Sequence, residues 1–161
     1  MAGAFDRLGW SWWPADLAIN AVAYGGNRGA CNHCGPCELG CPYRAKASAD
    51  VTYWPAALAA GARLVTGARV IEVTTDPTGR ADGVMWQDRS GIRHRLTADR
   101  ILLAANGVQT PRLLLLSTSR RHPAGLGNAE DLVGRNLMLH PLARAVGEFD
   151  APLETWRGIT A

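Results

Sequence analysis

The sequence has no apolar run approaching the roughly 20 residues of a membrane-spanning helix, and its stretch from Ile101 to Ala105 is only strand-sized. Behind Met1 there is no basic segment followed by a long apolar one, so no signal peptide is predicted, and the default expectation is a soluble, cytoplasmic protein. Charge is sparse at 19%, against 47% hydrophobic residues, a balance that excludes a disordered chain. Lysine is almost missing: of 17 basic residues only Lys46 is lysine, and the arginines are scattered from Arg7 to Arg157. Dispersed charge makes no electrostatic stripe, so a nucleic-acid partner is not expected. There is no G-x-G-x-x-G opening a βαβ unit, so the pyrophosphate fingerprint of a dinucleotide site is absent from these 161 residues.

Cysteine is also scarce, and all of it sits in one place. Cys31, Cys34, Cys37 and Cys41 run as C-x2-C-x2-C-x3-C, followed by Pro42. Disulfides between neighbours two residues apart would close small, strained loops. A structural zinc site gathers two separated ligand pairs, and there is no second pair. The same string occurs in two-cluster ferredoxins, but there the fourth cysteine serves a second cluster, which needs a further cysteine set. Counting excludes that protein. A metal or iron–sulfur site and a knot of buried free thiols both remain open on the spacing alone.

Along the chain, Asp16 to Tyr24 reads as a short helix after Pro14, broken by Gly25, Gly26 and Gly29. A second helix is predicted over Ala56 to Ala60, with Ser48 or Asp50 as its cap, Pro55 in its first turn or at a kink, and Gly61 as its stop. The period then changes to two. Leu64 to Leu96 reads as an antiparallel meander, with turns at Asp76-Pro77-Thr78-Gly79 and Asp88-Arg89-Ser90-Gly91. His94 falls in an alternating strand and is expected to be exposed. Arg100 to Ala105 is a continuous apolar run, as in a strand buried on both faces of a mainly parallel sheet. Asn106-Gly107 is the turn after it, and Thr110-Pro111 opens a helix to about Ser117. A last short helix is predicted from Glu130 or Asp131 to Leu139. The fold class is α/β.

Five segments in order carry a resemblance: CNHCGPCELGCPYRAKASADVTYWPAALAAGARLVTGARV, GRADGV, ILLAANGVQTPRLLLLS, GLGN and LVGRNLMLHP. Together, from about Asn20 to about Gly147, they resemble the middle of glucose–methanol–choline (GMC) oxidoreductases, in the branch with a Cys-rich loop. The resemblance implies a partial FAD-binding, Rossmann-like domain with an antiparallel β-meander and a Cys-rich loop. It makes residues 1–161 one incomplete region, with the Cys-rich loop at 28–47, part of the FAD-binding domain at 62–118 and a flavin-proximal segment at 125–147.

The implied activity is oxidation of the CH–OH group of an alcohol, sterol or sugar by hydride transfer to FAD, with a cytochrome or another acceptor as a further partner. The GARV string resembles the strand end that meets the FAD adenine and points to Val70. Asn106 and Gly107 stand where the family usually has Ala-Gly-Ala at a turn returning to the cofactor. The VGRNL string resembles a segment near the flavin and points to Gly134, Asn136 and Leu137. The family's catalytic His lies beyond this chain, so no catalytic residue is assigned, and His140 belongs to the flavin-side segment. The chain alone is expected to be inactive. Some relatives carry a three-iron cluster on C-x5-C-x3-C-P, which Cys31, Cys37, Cys41 and Pro42 match, with Cys34 extra. The alternative implied by that knot is a small iron–sulfur or metal-binding electron-transfer module.

Overall fold

The structure is a computed structural model and describes residues 2–13, 15–144 and 146–152. It divides into two compact units, one of residues 1–63 with 146–161 and the other of residues 64–145.

The first unit is mostly irregular. Helix α1 (Ala2–Leu8) stops at Gly9, whose φ of 65° is cheap only without a Cβ. The chain then folds back on the helix. Trp10 stacks on Phe5 with centroids 5.9 Å apart, and Trp12 Nε1 donates to Asp6 Oδ1 at 2.8 Å. The helix predicted over 16–24 does not form. That segment is extended, and Ile19 makes an antiparallel bridge with Lys46. The reason is local competition: Asn20 exchanges its backbone bonds with Cys31 and Ala45, which a helix would forbid. Ala45 is fully buried there, held by Arg28, which donates from Nη2 to the Ala45 carbonyl at 2.9 Å and from Nε to that of Arg44 at 3.1 Å.

Helix α2 (Tyr53–Ala59) has Pro55 in its first turn and ends before Gly61, as its sequence predicts. Neither Ser48 nor Asp50 caps it. Their side chains bond each other instead, in the turn before the helix.

The second unit holds an antiparallel sheet of order β1-β2-β3, from β1 (Arg69–Thr75), β2 (Ala81–Gln87) and β3 (Arg93–Thr97). This is the predicted meander. Both hairpin turns use one device. Asp76 Oδ1 accepts the amide hydrogens of Thr78 and Arg80, and Asp88 Oδ1 accepts those of Ser90 and Ile92. Gly79 and Gly91 take the left-handed φ values of 91° and 84° that close the turns. Helix α3 (Asn106–Leu116) packs on β1, where Val73 is the buried apolar residue.

Three expectations fail in this unit. Ile101–Ala105 is not a strand buried on both faces: it pairs with no strand among the described residues, and Leu102 is 88% exposed. A parallel strand needs neighbours on each side, and none of the three described strands lies beside it. Helix α3 starts at Asn106, five residues before Pro111, its predicted first residue. The Asn106 side chain, rather than that of Thr110, takes up amides of the first turn, and Pro111 lies inside the helix. The Glu130-to-Leu139 segment is a series of turns, because Asn128 Oδ1 takes the Val133 amide hydrogen at 2.9 Å and Asp131, Gly134 and Asn136 all have positive φ. The parallel part of the α/β class is therefore not represented among the described strands.

Candidate cofactor-binding region

Helix α3 and the turns at 134–137 meet along an apolar groove in the second unit. Gly107, Pro111 and Leu115 line it from the helix, and Gly134 and Leu137 from the turns, with Arg112 at its side. Pro111 and Leu115 stand one helical turn apart and so share a face.

Of the two glycines, Gly134 is required by its backbone conformation, and a Cβ at either would make ordinary contacts across the groove. A Cβ on Gly134 would lie 3.4 Å from Leu115 Cδ1 and 3.9 Å from Pro111 Cβ, and its φ of 83° disfavours any side chain. A Cβ on Gly107 would lie 3.6 Å from Leu137 Cδ1. The helix entry is shaped by Asn106. Its φ is 60°, and its Oδ1 accepts the amide hydrogens of Val108 at 2.8 Å and Gln109 at 3.1 Å. Those two bonds satisfy two of the helix's otherwise unpaired first-turn amides. Thr110, the residue expected to cap the helix, instead accepts the Ala105 amide hydrogen at 3.2 Å on Oγ1.

The structure thus brings three of the six predicted cofactor residues, Gly107, Gly134 and Leu137, to one groove. Asn106 and Asn136 shape the turns beside it and do not line it. Val70 is elsewhere in the unit, opposite Trp86 in the β1–β2 ladder and 40% exposed. Sequence reasoning missed Pro111, Arg112 and Leu115. The i, i+4 spacing of Pro111 and Leu115 was the available signal, obscured by a helix start placed too late. His140 is exposed and outside the groove. His94 is half-buried, stacked on Trp86 with centroids 4.3 Å apart and bonded to Asp88 at 2.8 Å.

In the first unit the four cysteines are free thiols, and all four line one small pocket with Ile19 and Lys46. Cys34 is exposed and the other three half-buried. Lys46 Nζ donates to the Cys37 carbonyl at 2.9 Å. The Lys46 backbone amide, foremost among those of residues 43–46, holds the Cys41 thiol below its ordinary value against partial burial, which raises it. Yet among the described residues no three His, Cys, Asp or Glu side chains converge to hold a metal ion. The donor set suits an iron–sulfur cluster in kind but not in arrangement.

A family model described as GMC oxidoreductase matches residues 15–142. The chain belongs to the GMC oxidoreductase family. It is 42% identical over 142 residues to a 2-methyl-1,2-propanediol dehydrogenase of Mycolicibacterium austroafricanum, covering 88% of this chain and 25% of that protein. It is 37% identical over 139 residues to a fructose dehydrogenase large subunit of Gluconobacter japonicus, covering 84% and 25%. A paromamine 6'-oxidase of Streptomyces fradiae is 36% identical over 161 residues, covering 96% and 30%. The chain spans about a quarter of the length of the curated relatives it matches. FAD binding is a property of this family's matched region, and the bare-glycine groove fits the approach of such a cofactor. No helix among the described residues is long and apolar enough to cross a membrane.

Proposed function

We propose that the whole protein is an FAD-dependent oxidoreductase acting on a CH–OH group of an alcohol or sugar, and that this chain contributes part of its Rossmann-like FAD-binding domain. The observation that carries the reading is the groove in which Gly107, Gly134 and Leu137 meet, because backbone bare of Cβ atoms is what a dinucleotide needs for close approach. Family membership and the names of the relatives, which include dehydrogenases of a diol and of fructose, support the substrate class.

When bound, FAD supplies the hydride acceptor. The chain's own residues do the holding. Asn106 starts α3 and fixes where Gly107 presents its backbone, Gly134 and Leu137 close the groove opposite, and the Val70 backbone on β1 offers a second contact. The general base lies outside this chain, so the chain alone does not turn over.

The test is the full-length protein. Purified, it should absorb as a flavoprotein, and an alcohol or sugar should bleach that absorption without oxygen. Reoxidation by dioxygen, compared with an artificial acceptor, separates an oxidase from a dehydrogenase. A full-length protein that carries no flavin after reconstitution would refute the reading, as would turnover by residues 1–161 alone.

A further inference from the structure

The sequence holds six asparagines, and Asn106 alone is followed by glycine. That pair carries a chemistry of its own. With no side chain on the next residue, its amide nitrogen can approach the asparagine Cγ without steric hindrance. Whether a fold permits the reaction depends on the electrophile, the leaving group and the nucleophile.

Asn106 Oδ1 accepts the amide hydrogens of Val108 at 2.8 Å and Gln109 at 3.1 Å. Two donors aimed at one carbonyl oxygen draw charge from Cγ and stabilise the oxyanion that forms when a nucleophile adds there. The same bonds fold the side chain over the backbone that follows it. The leaving group is unhindered, because Asn106 Nδ2 makes no hydrogen bond among the described residues. The nucleophile is free as well. The Gly107 amide lies in the first turn of α3, too early for a helical acceptor, and bonds to nothing among the described residues. Both residues are exposed, so water reaches the site. Asn128 is the contrast: it is buried, Nδ2 donates to the Ala124 carbonyl, Oδ1 accepts the Val133 amide hydrogen, and Ala129 follows it.

We propose that Asn106 is a spontaneous modification site, converted in the folded protein to isoaspartate and aspartate through a cyclic imide with Gly107. The Gly107 nitrogen gives up its proton and attacks Asn106 Cγ. A new N–C bond forms, the Cγ–Nδ2 bond breaks, and Nδ2 leaves with the proton as ammonia. Water then opens the ring. Addition at Cγ gives aspartate on an unchanged backbone. Addition at the main-chain carbonyl gives isoaspartate, whose backbone runs through Cγ and is longer by a methylene. An amide and water become a carboxylate and ammonium, and no electrons are transferred. Aspartate keeps an acceptor for Val108 and Gln109 and places its charge at a helix start, which favours it. Isoaspartate lengthens the link to Gly107, which cannot then keep both its place in α3 and its place at the groove.

Peptide mapping of the full-length protein, aged in mildly alkaline buffer, tests this. Trypsin releases residues 101–112, which hold Asn106 and no other asparagine, and residues 122–135, which hold Asn128. In the first peptide the expected result is a steady gain of the mass that separates –OH from –NH2. Fragmentation should place the change at Asn106 rather than Gln109, and an isoaspartyl methyltransferase should methylate the product. The second peptide should stay unchanged. Gly107→Ala, whose Cβ would make an ordinary contact with Leu137 Cδ1 at 3.6 Å, should bring the first peptide down to the slow rate of the second. Mapping in the parent does not depend on that variant folding. A first peptide that stays intact in the folded protein while converting in urea would overturn the proposal. So would aspartate formed without isoaspartate, or a Gly107→Ala variant that converts as fast as the parent. The consequence for the groove rests on the flavin reading, and flavin absorption of the same samples reports it separately. Flavin lost in step with isoaspartate supports that consequence, whereas conversion with flavin retained leaves the modification standing and removes Gly107 from the cofactor contacts.

Discussion

The hydroxyl of Ser117 accepts the amide hydrogen of Val73 at 2.9 Å, while donating its own hydrogen to the Leu113 carbonyl at 2.7 Å. Both residues are buried. One side chain thus ties β1 to the last turn of α3, spending its donor on the helix and its acceptor on the strand. Ser117→Ala leaves the Val73 amide buried without a partner, a loss of about 1–3 kcal/mol. The expected outcome is a lower urea midpoint for the full-length protein, with flavin content retained under native conditions.

Gly83 lies in the middle strand with no room for a methyl group. A Cβ there would collide with the Leu96 carbonyl oxygen, and would lie 3.1 Å from Thr74 Oγ1 and 3.2 Å from Thr97 Cα. Most of that is backbone, which cannot rotate away. Gly83→Ala should destabilise the protein by about 1–3 kcal/mol. Gly127→Ala, where a Cβ meets nothing within 4 Å, should pay only for its left-handed φ of 70°. Thermal unfolding of the two variants side by side checks the ranking.

Asp88 is held below the usual carboxylate range, chiefly by its bond from His94, with the amides of Ile92 and Ser90 adding to it and burial opposing. A depressed carboxyl contributes stability that is present above its unfolded pKa and lost as pH falls through its lower folded value. Asp88→Asn should therefore be less stable than the parent near neutral pH. The gap should close as pH drops below the ordinary aspartate range. A gap that widens in acid would contradict the assignment of Asp88 as the anchor of the β2–β3 turn.

Gly134 and Gly107 border the candidate cofactor groove from opposite sides. Gly134→Val adds bulk toward Leu115 and strain at a φ of 83°. If the groove receives FAD, a penalty of about 1.4 kcal/mol weakens flavin binding tenfold. Gly107→Val should act in the same direction. The measurement is flavin dissociation from the full-length protein, followed by fluorescence. Unchanged affinity in both variants would remove the groove from the cofactor site.

The meander was legible because each of its signals is local. Asp76 and Asp88 each bind amides two and four residues ahead, so the turn chemistry is written within five consecutive positions. The same holds for Pro55 and Gly61 around α2. The helix expectations that failed are those in which a competing bond overrode a helix-compatible spacing, from distant partners at Asn20 and from residues within five positions at Asn128. Residues 16–24 and 131–139 have helix-compatible spacing, but Asn20 and Asn128 commit their backbone or side chain to other bonds. Ile101–Ala105 reads as an interior strand by composition and lacks a neighbouring strand here. In the candidate site, the glycines at 107 and 134 were found from resemblance. Their meeting across Leu115 and Leu137 was not, because no spacing rule links residues on a helix to a turn more than twenty positions away.

The paired aspartate turns also bear on the order in which the unit assembles. Each hairpin closes with partners close in sequence, β1 with β2 and β2 with β3, so little loop entropy is spent before pairing is rewarded. The Ser117–Val73 bond spans 44 positions and can form only after α3 exists. The meander is thus placed to appear first as the chain emerges, offering a ready-made surface on which α3 docks. Pulse-labelled hydrogen exchange during refolding should protect the β1–β2 amides early and the Val73 amide with α3, and the reverse order would show that the helix templates the sheet.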